Sequence, residues 1–156
     1  MRVVLTFAAL GALVSAGCTP SAPAPTGVPV TLTLEPEFAN RRLTIAGTTD
    51  LQDGAVLLYE ARHENWTTAG EPIWLRSGQI VVADGAYSER INLRRWPVGA
   101  IDVWVAFQSV LPGSDQPDHV LATFGPMGER LLGDNVTQEG PMRRVELTVS
   151  VDPKRP

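Results

Sequence analysis

Between Val30 and Val151 apolar residues recur at every second position, the period of a strand with one face buried and the other in water. Val30, Leu32 and Leu34 alternate with Thr31 and Thr33, and Leu43 and Ile45 repeat the pattern in "RRLTIAG". "GAVLLYEARH" predicts a third strand from about Ala55 to Arg62, entered through an Asp53-Gly54 turn. The next stretch predicts a strand around Ile73 to Arg76, another near Gln79 to Ala83, a two-residue Asp84-Gly85 turn and a partner from Ala86 to Leu93. Asp-Gly between two alternating runs is the strongest hairpin signal in the chain. After a turn at Pro97 to Gly99, Ile101, Val103, Val105 and Phe107 share one strand face and Asp102, Trp104, Ala106 and Gln108 the other, leaving Trp104 partly exposed. In the last strand Val145, Leu147, Val149 and Val151 point inward, and Arg144, Glu146, Thr148 and Ser150 point outward.

About seven strands at short intervals, with no long stretch of helical period, predict an all-β fold, an antiparallel β-sandwich. One excursion interrupts them, Ser109 to Met142, which is too long for a hairpin loop. Within it Pro117 opens a short helix over Asp118 to Phe124, and Gly125-Pro126 and Gly128 stop it. Val120, Leu121, Phe124, Leu131 and Leu132 give the excursion an apolar side with which to fold over one edge of the sandwich. The "WPVGAIDVWVAFQ" stretch is similar to the turn and late strand of immunoglobulin-like and transthyretin-like extracellular modules. That resemblance implies an immunoglobulin-like sandwich rather than a jelly roll.

Upstream of the strands the pattern is different. Arg2 precedes an apolar run from Val3 to Val14, broken only by Thr6 and followed by Ser15-Ala16-Gly17-Cys18. A run of this length suits the apolar region of a signal peptide and falls short of the roughly 20 residues that span a bilayer. The small residues ending at a cysteine resemble the lipobox of bacterial membrane lipoproteins. The resemblance implies removal of residues 1–17, a diacylglycerol and an N-acyl chain on Cys18, and attachment to a membrane through them. Thr19, where an aspartate would imply retention at the inner membrane, implies the outer membrane in a double-membraned cell. Cys18 is the only cysteine, and an alkylated sulfur escapes the oxidation and mispairing open to a free exported thiol. Residues 18–29, small, uncharged and rich in proline, predict a disordered, extended tether of roughly 30 Å. The expected organisation is therefore signal peptide 1–17, lipidated tether 18–29, sandwich 30–151 and tail 152–156.

Charge and chemistry narrow the function by exclusion. A net charge of -4, with no basic cluster along the sequence larger than Arg94-Arg95, gives no footprint for nucleic-acid binding. His63 and His119 are far apart in sequence, and "HENWT" lacks the second histidine of a zinc-protease motif; both read as surface or loop residues. Asp50 and Asp53 read as turn residues rather than calcium ligands. No nucleophile elbow, phosphate-cradling glycine loop or C-x-x-C is present. No cofactor is expected beyond the lipid on Cys18, and no catalysis. Four tryptophans point instead to non-catalytic binding of an envelope protein or a glycan. Trp66 in a polar loop, Trp104 on an outer strand face and Phe124 in the excursion are the candidate contact residues, with Trp74 and Trp96 as core fillers. The alternative is an envelope-anchored hydrolase or metal-dependent enzyme in which His63, His119 and loop carboxylates converge.

Overall fold

The computed structural model describes residues 26–66 and 74–153; Cys18, the signal segment and most of the tether lie outside them. The strands are β1 (Val28–Pro29), β2 (Glu37–Ala39), β3 (Arg42–Thr48), β4 (Val56–His63), β5 (Leu75–Val81), β6 (Ala86–Asn92) and β7 (Ile101–Gln108). After them come β8 (Val110–Leu111), β9 (Ser114–Asp115), helix α1 (Asp118–Phe124), β10 (Leu131–Leu132), β11 (Val136–Glu139) and β12 (Met142–Val151).

The two principal sheets run β11-β12-β7-β4-β5 and β2-β3-β6 and are antiparallel throughout. Between them lies one apolar core. Leu43, Ile45, Tyr87 and Ile91 enter it from the smaller sheet, and Leu57, Ala61, Val103, Val105, Phe107 and Val145 from the larger. In this sandwich β5 pairs with β4 of the larger sheet and not with β6 of the smaller, although it precedes β6 in the chain. The inward residues predicted for β7, Ile101, Val103, Val105 and Phe107, are all sealed from solvent; of the residues on its other face Ala106 is covered as well. In β12 only Val145 is fully buried; Leu147, Val149 and Val151 pack partly exposed against the core.

Three local expectations are revised. The two strands predicted between Ile73 and Ala83 are the single strand β5, from Leu75 onward; Ile73 lies outside the described residues. Gly78 does not break it, because the Tyr59 ring of β4 lies across the space that a side chain there would fill. The Asp84-Gly85 turn forms, with both residues in the left-handed region (φ 53° and 69°) and Ala83 bridged to Ala86. Its arms then part, β5 into one sheet and β6 into the other, so the hairpin signal marks the passage between layers.

The strand predicted at Val30 to Leu34 follows the β3 edge without becoming a regular ladder. Its pairing, Leu32 with Thr49, continues the register in which Glu37 faces Thr44. Thr33 N–H donates to Thr48 O at 2.9 Å, and Glu35 N–H to Ala46 O at 2.8 Å. The return bond of a regular pair is replaced: Thr48 N–H donates to the Thr33 hydroxyl at 2.7 Å, and the Thr33 carbonyl accepts from the Tyr87 hydroxyl. Further along, Thr31 N–H donates to Asp50 Oδ1 at 2.8 Å, which gives Asp50 a structural task. Tyr87 of β6 reaches this edge only by crossing over β3, at Gly47. A Cβ on Gly47 would strike both the Thr33 carbonyl and the Tyr87 ring.

The excursion is ordered. Val120 and Phe124 of α1 enter the core at the end where β7 finishes, with the Phe124 and Phe107 rings edge to face at 5.2 Å. The buried Gln116 side chain acts as a short strand: its Oε1 accepts from Val56 N–H at 2.9 Å, and its Nε2 donates to Val56 O at 2.8 Å and to Gln108 O at 2.9 Å. β10 pairs in parallel with β1, so chain contacts begin two residues before the expected start of the sandwich. β11 covers four of the ten residues of the β12 edge, from Met142 to Val145, which is the edge-covering role expected of the excursion.

Gly47→Ala is expected to destabilise the fold by about 1 to 3 kcal/mol through overpacking, and Tyr87→Phe by about 1 to 2 kcal/mol by leaving the Thr33 carbonyl without its donor, both read by denaturant unfolding. Burial, with the Glu35 carboxylate adding to it, pushes the Tyr87 phenol up to about 12. Below pH 10 both states keep the proton and the bond contributes fully. Between pH 10 and about 12 the unfolded chain gives up its proton first, so stability should fall as pH rises through that window and fall less in Tyr87→Phe.

Candidate functional site

The outward row of β7 and its registered neighbours form the most chemically varied surface. Trp104 stands opposite Glu60 of β4 on one side and Thr148 of β12 on the other; Asp102 stands opposite Arg62 and Ser150. Strand alternation puts all six on the face turned away from the core. Trp104 is half-buried as expected, its ring held by an indole Nε1–H donated to Glu146 Oε2 at 2.9 Å. The other Glu146 oxygen accepts from the Thr137 hydroxyl at 2.8 Å, and Arg144 Nε lies 3.0 Å from Oε2. Burial works to raise the Glu146 pKa, but the Trp104 and Thr137 hydrogen bonds and the Arg144 charge outweigh it and hold the carboxyl below its ordinary value.

Arg62 connects this centre to Trp66. Its guanidinium lies 3.8 Å from Asp102, 3.9 Å from Glu60 and 5.6 Å from the centroid of the Trp66 ring. A turn closed by Trp66 N–H donating to His63 O at 2.9 Å sets that ring just beyond the end of β4. Exposed ion pairs of this kind contribute at most about 1 kcal/mol to stability; here they bias Arg62 toward a position between the two carboxylates. The surface dips on both sides of Trp104. One depression, of about 270 Å³, is bounded by Glu60, Arg62, Asp102 and Thr148. The other, of about 250 Å³, is bounded by Leu58, Ser77, Gln79 and Pro112. An aromatic platform edged by carboxylates, hydroxyls and a guanidinium suits a ligand with an apolar face and hydroxyl or amide edges.

Of the three candidate contact residues, the structure brings Trp66 and Trp104 to one face and takes Phe124 away. Phe124 is 2% exposed and stacked in the core, so it offers a partner no surface; in an edge-covering helix the apolar side turns inward. His63 also departs from expectation. It is fully buried at the end of β4, with Trp74 and Trp96 packed edge-on at 5.6 and 6.2 Å. It is the inward residue of its strand, and its Nδ1 accepts from Asn65 N–H at 3.1 Å. His119 is at the other end of the molecule, on α1, with Nε2 2.9 Å from Asp53 O. The eight residues of β4 separate them, about 26 Å at ~3.3 Å per residue. The site of the alternative reading is therefore not assembled by these two side chains. Among the described residues no three of His, Asp and Glu gather as a metal set, and no helix is long and apolar enough to cross a membrane.

Glu60, Arg62 and Asp102 become site residues only through strand register, which alternation alone does not supply. No protein-family model matches the chain, and no curated protein matches it significantly.

Stability should respond to Glu146 in acid. Its contribution is complete above the ordinary glutamate value and is lost as pH falls through the lowered value in the folded state. Unfolding curves recorded from neutral pH down to pH ~3 should therefore drop less steeply for Glu146→Gln than for the native chain.

Proposed function

We propose that the protein is a lipid-anchored envelope module that binds a protein or glycan partner, without catalysis, through the face centred on Trp104. In this reading residues 1–17 are removed on export and Cys18 carries a diacylglycerol and an N-acyl chain. Residues 18–29 hold the sandwich off the cell membrane, or off the outer membrane where there is one. Two or more acyl chains anchor stably where one chain binds only reversibly. The observation that carries the binding half is the placement of Trp104 between two depressions, its ring fixed by Glu146, with Trp66 reached through Arg62. An indole clamped in place gives contact area at little loss of side-chain freedom on binding.

The anchor is tested by radiolabelled palmitate with cell fractionation: label and membrane association should both disappear in Cys18→Ala, and membrane association that persists without label would refute it. For the binding face, glycan arrays and crosslinking from envelope preparations should capture a ligand with the native chain. Trp104→Ala should weaken that capture by about tenfold or more, as loss of a central aromatic contact does; it also gives up the hydrogen bond to Glu146, so Trp104→Ala is compared at a temperature where unfolding curves show it fully folded. Unchanged capture by Trp104→Ala would move the site elsewhere.

A further inference from the structure

The sequence scatters its arginines, but the fold gathers four of them at one end. There the β2–β3 turn, the connection from Leu93 to Ala100 and the chain after β12 meet around Trp96. On one side of the indole is a pocket of about 220 Å³ walled by Phe38, Leu93, Val98 and Ile101, with the exposed Arg41 on its rim. On the other is a wider depression of about 450 Å³ lined by Arg76, Arg94 and Arg95. Arg62 and Arg144 are in ion pairs, whereas none of these four is paired with a carboxylate among the described residues. Two carboxylates share this end, Glu64, whose Oε1 lies against Gly99, and Asp152 after β12, so four arginines outnumber them beside an apolar cavity in a chain of net charge -4.

Arg41 has a second peculiarity. It is the second residue of a two-residue turn in which both Asn40 and Arg41 are left-handed, at φ 52° and 60°. Glycine is the residue that such a turn favours there, and a side chain is strained. The fold nevertheless holds Arg41 firmly: its carbonyl accepts from Leu93 N–H at 3.0 Å, and its guanidinium reaches Trp96 O at 3.5 Å. Strained residues that are held in this way concentrate at ligand clamps. Val98, 53% exposed, adds an apolar lip to the pocket. The Trp96 indole N–H is sealed from solvent, so polar recognition at this end falls to the arginines.

We propose that this end binds an amphipathic anion, its apolar tail in the pocket beside Trp96 and its acidic head, a carboxylate or a phosphate, on Arg41 at the rim, with Arg94 and Arg95 across Trp96 adding longer-range attraction. The site is independent of the Trp104 face. It can be tested on the full chain carrying Cys18→Ala, titrated with octanoate, octyl phosphate, octanol and octyltrimethylammonium and followed by NMR. Both anions should bind saturably, with shifts at Phe38, Arg41, Leu93 and Trp96, and the neutral and cationic analogues about tenfold more weakly or worse. Arg41→Gly should weaken octanoate about tenfold while its unfolding midpoint stays the same or rises, which separates lost recognition from lost folding. Arg94→Gln with Arg95→Gln should weaken octyl phosphate and flatten its salt dependence. Octanol binding as tightly as octanoate, or Arg41→Gly binding unchanged, would overturn the proposal, as would shifts confined to other parts of the molecule. Vesicles identify the source of the anion. Stronger association with phosphatidylglycerol than with phosphatidylcholine vesicles, abolished by the paired Arg→Gln variant, points to a membrane lipid. Anion binding without that preference points to a free ligand.

Discussion

The register of β7 ties the core and the surface together. It is the middle strand of its sheet, paired with β4 on one side and β12 on the other, and its four inward residues are all sealed in the core. A shift of one residue would carry Trp104 and Asp102 inward and expose Val105 and Phe107. Burial of that apolar row therefore dictates that Asp102, Trp104, Ala106 and Gln108 face outward. The neighbouring strands, registered to β7 by the same backbone ladder, bring Glu60 and Thr148 to Trp104, and Arg62 and Ser150 to Asp102. The candidate site follows from how the core closes, with no separate device to assemble it.

Where the backbone ladder fails, side chains complete it. A backbone carbonyl or amide removed from water without a partner is destabilising, and two segments meet that demand in the same way. Along the first segment the Thr33 and Tyr87 hydroxyls and the Asp50 carboxylate stand in for ladder bonds, and Gly47 leaves the space that Tyr87 crosses. At the head of β4 the Gln116 amide satisfies both backbone groups of Val56 and reaches Gln108 as well. Gln116 comes from the excursion, as does Phe124 against Phe107. The excursion thus closes one end of the core and belongs to the fold.

Period-two alternation made β3, β4, β7 and β12 legible, and the Pro117 and Gly125 signals bounded α1, because both are local properties of the chain. Pairing is not local. Asp84-Gly85 dictates a tight turn, yet whether its arms stay together depends on which sheet each can complete, and β5 finds its partner in β4. His63 looked like a loop residue because histidine is polar and "HENW" follows; its odd position in β4, in step with Leu57 and Ala61, was the available sign that it points inward. Trp66 and Trp104 could be singled out by type. Their acidic and basic neighbours, and the meeting of Arg41 and Arg76 with Arg94 and Arg95, depend on contacts between residues tens of positions apart.

The direction in which the chain enters bears on how the two surfaces would be used. β1 pairs with β10, and Thr31 meets Asp50 beyond the last residue of β3, so residues 26 to 31 join the end of the sandwich that carries α1. Asn40, Arg41 and Trp96 are at the opposite end, separated from it by the seven residues of β3, about 23 Å of strand at ~3.3 Å per residue. Trp66 follows the end of β4 toward that same far end. If Cys18 is held in a bilayer, as proposed, the α1 end is presented first and the arginines last. Reaching the lipid of its own membrane would require the domain to turn end over end. The geometry therefore favours an anion delivered from solution, or from a surface facing the membrane that holds the anchor.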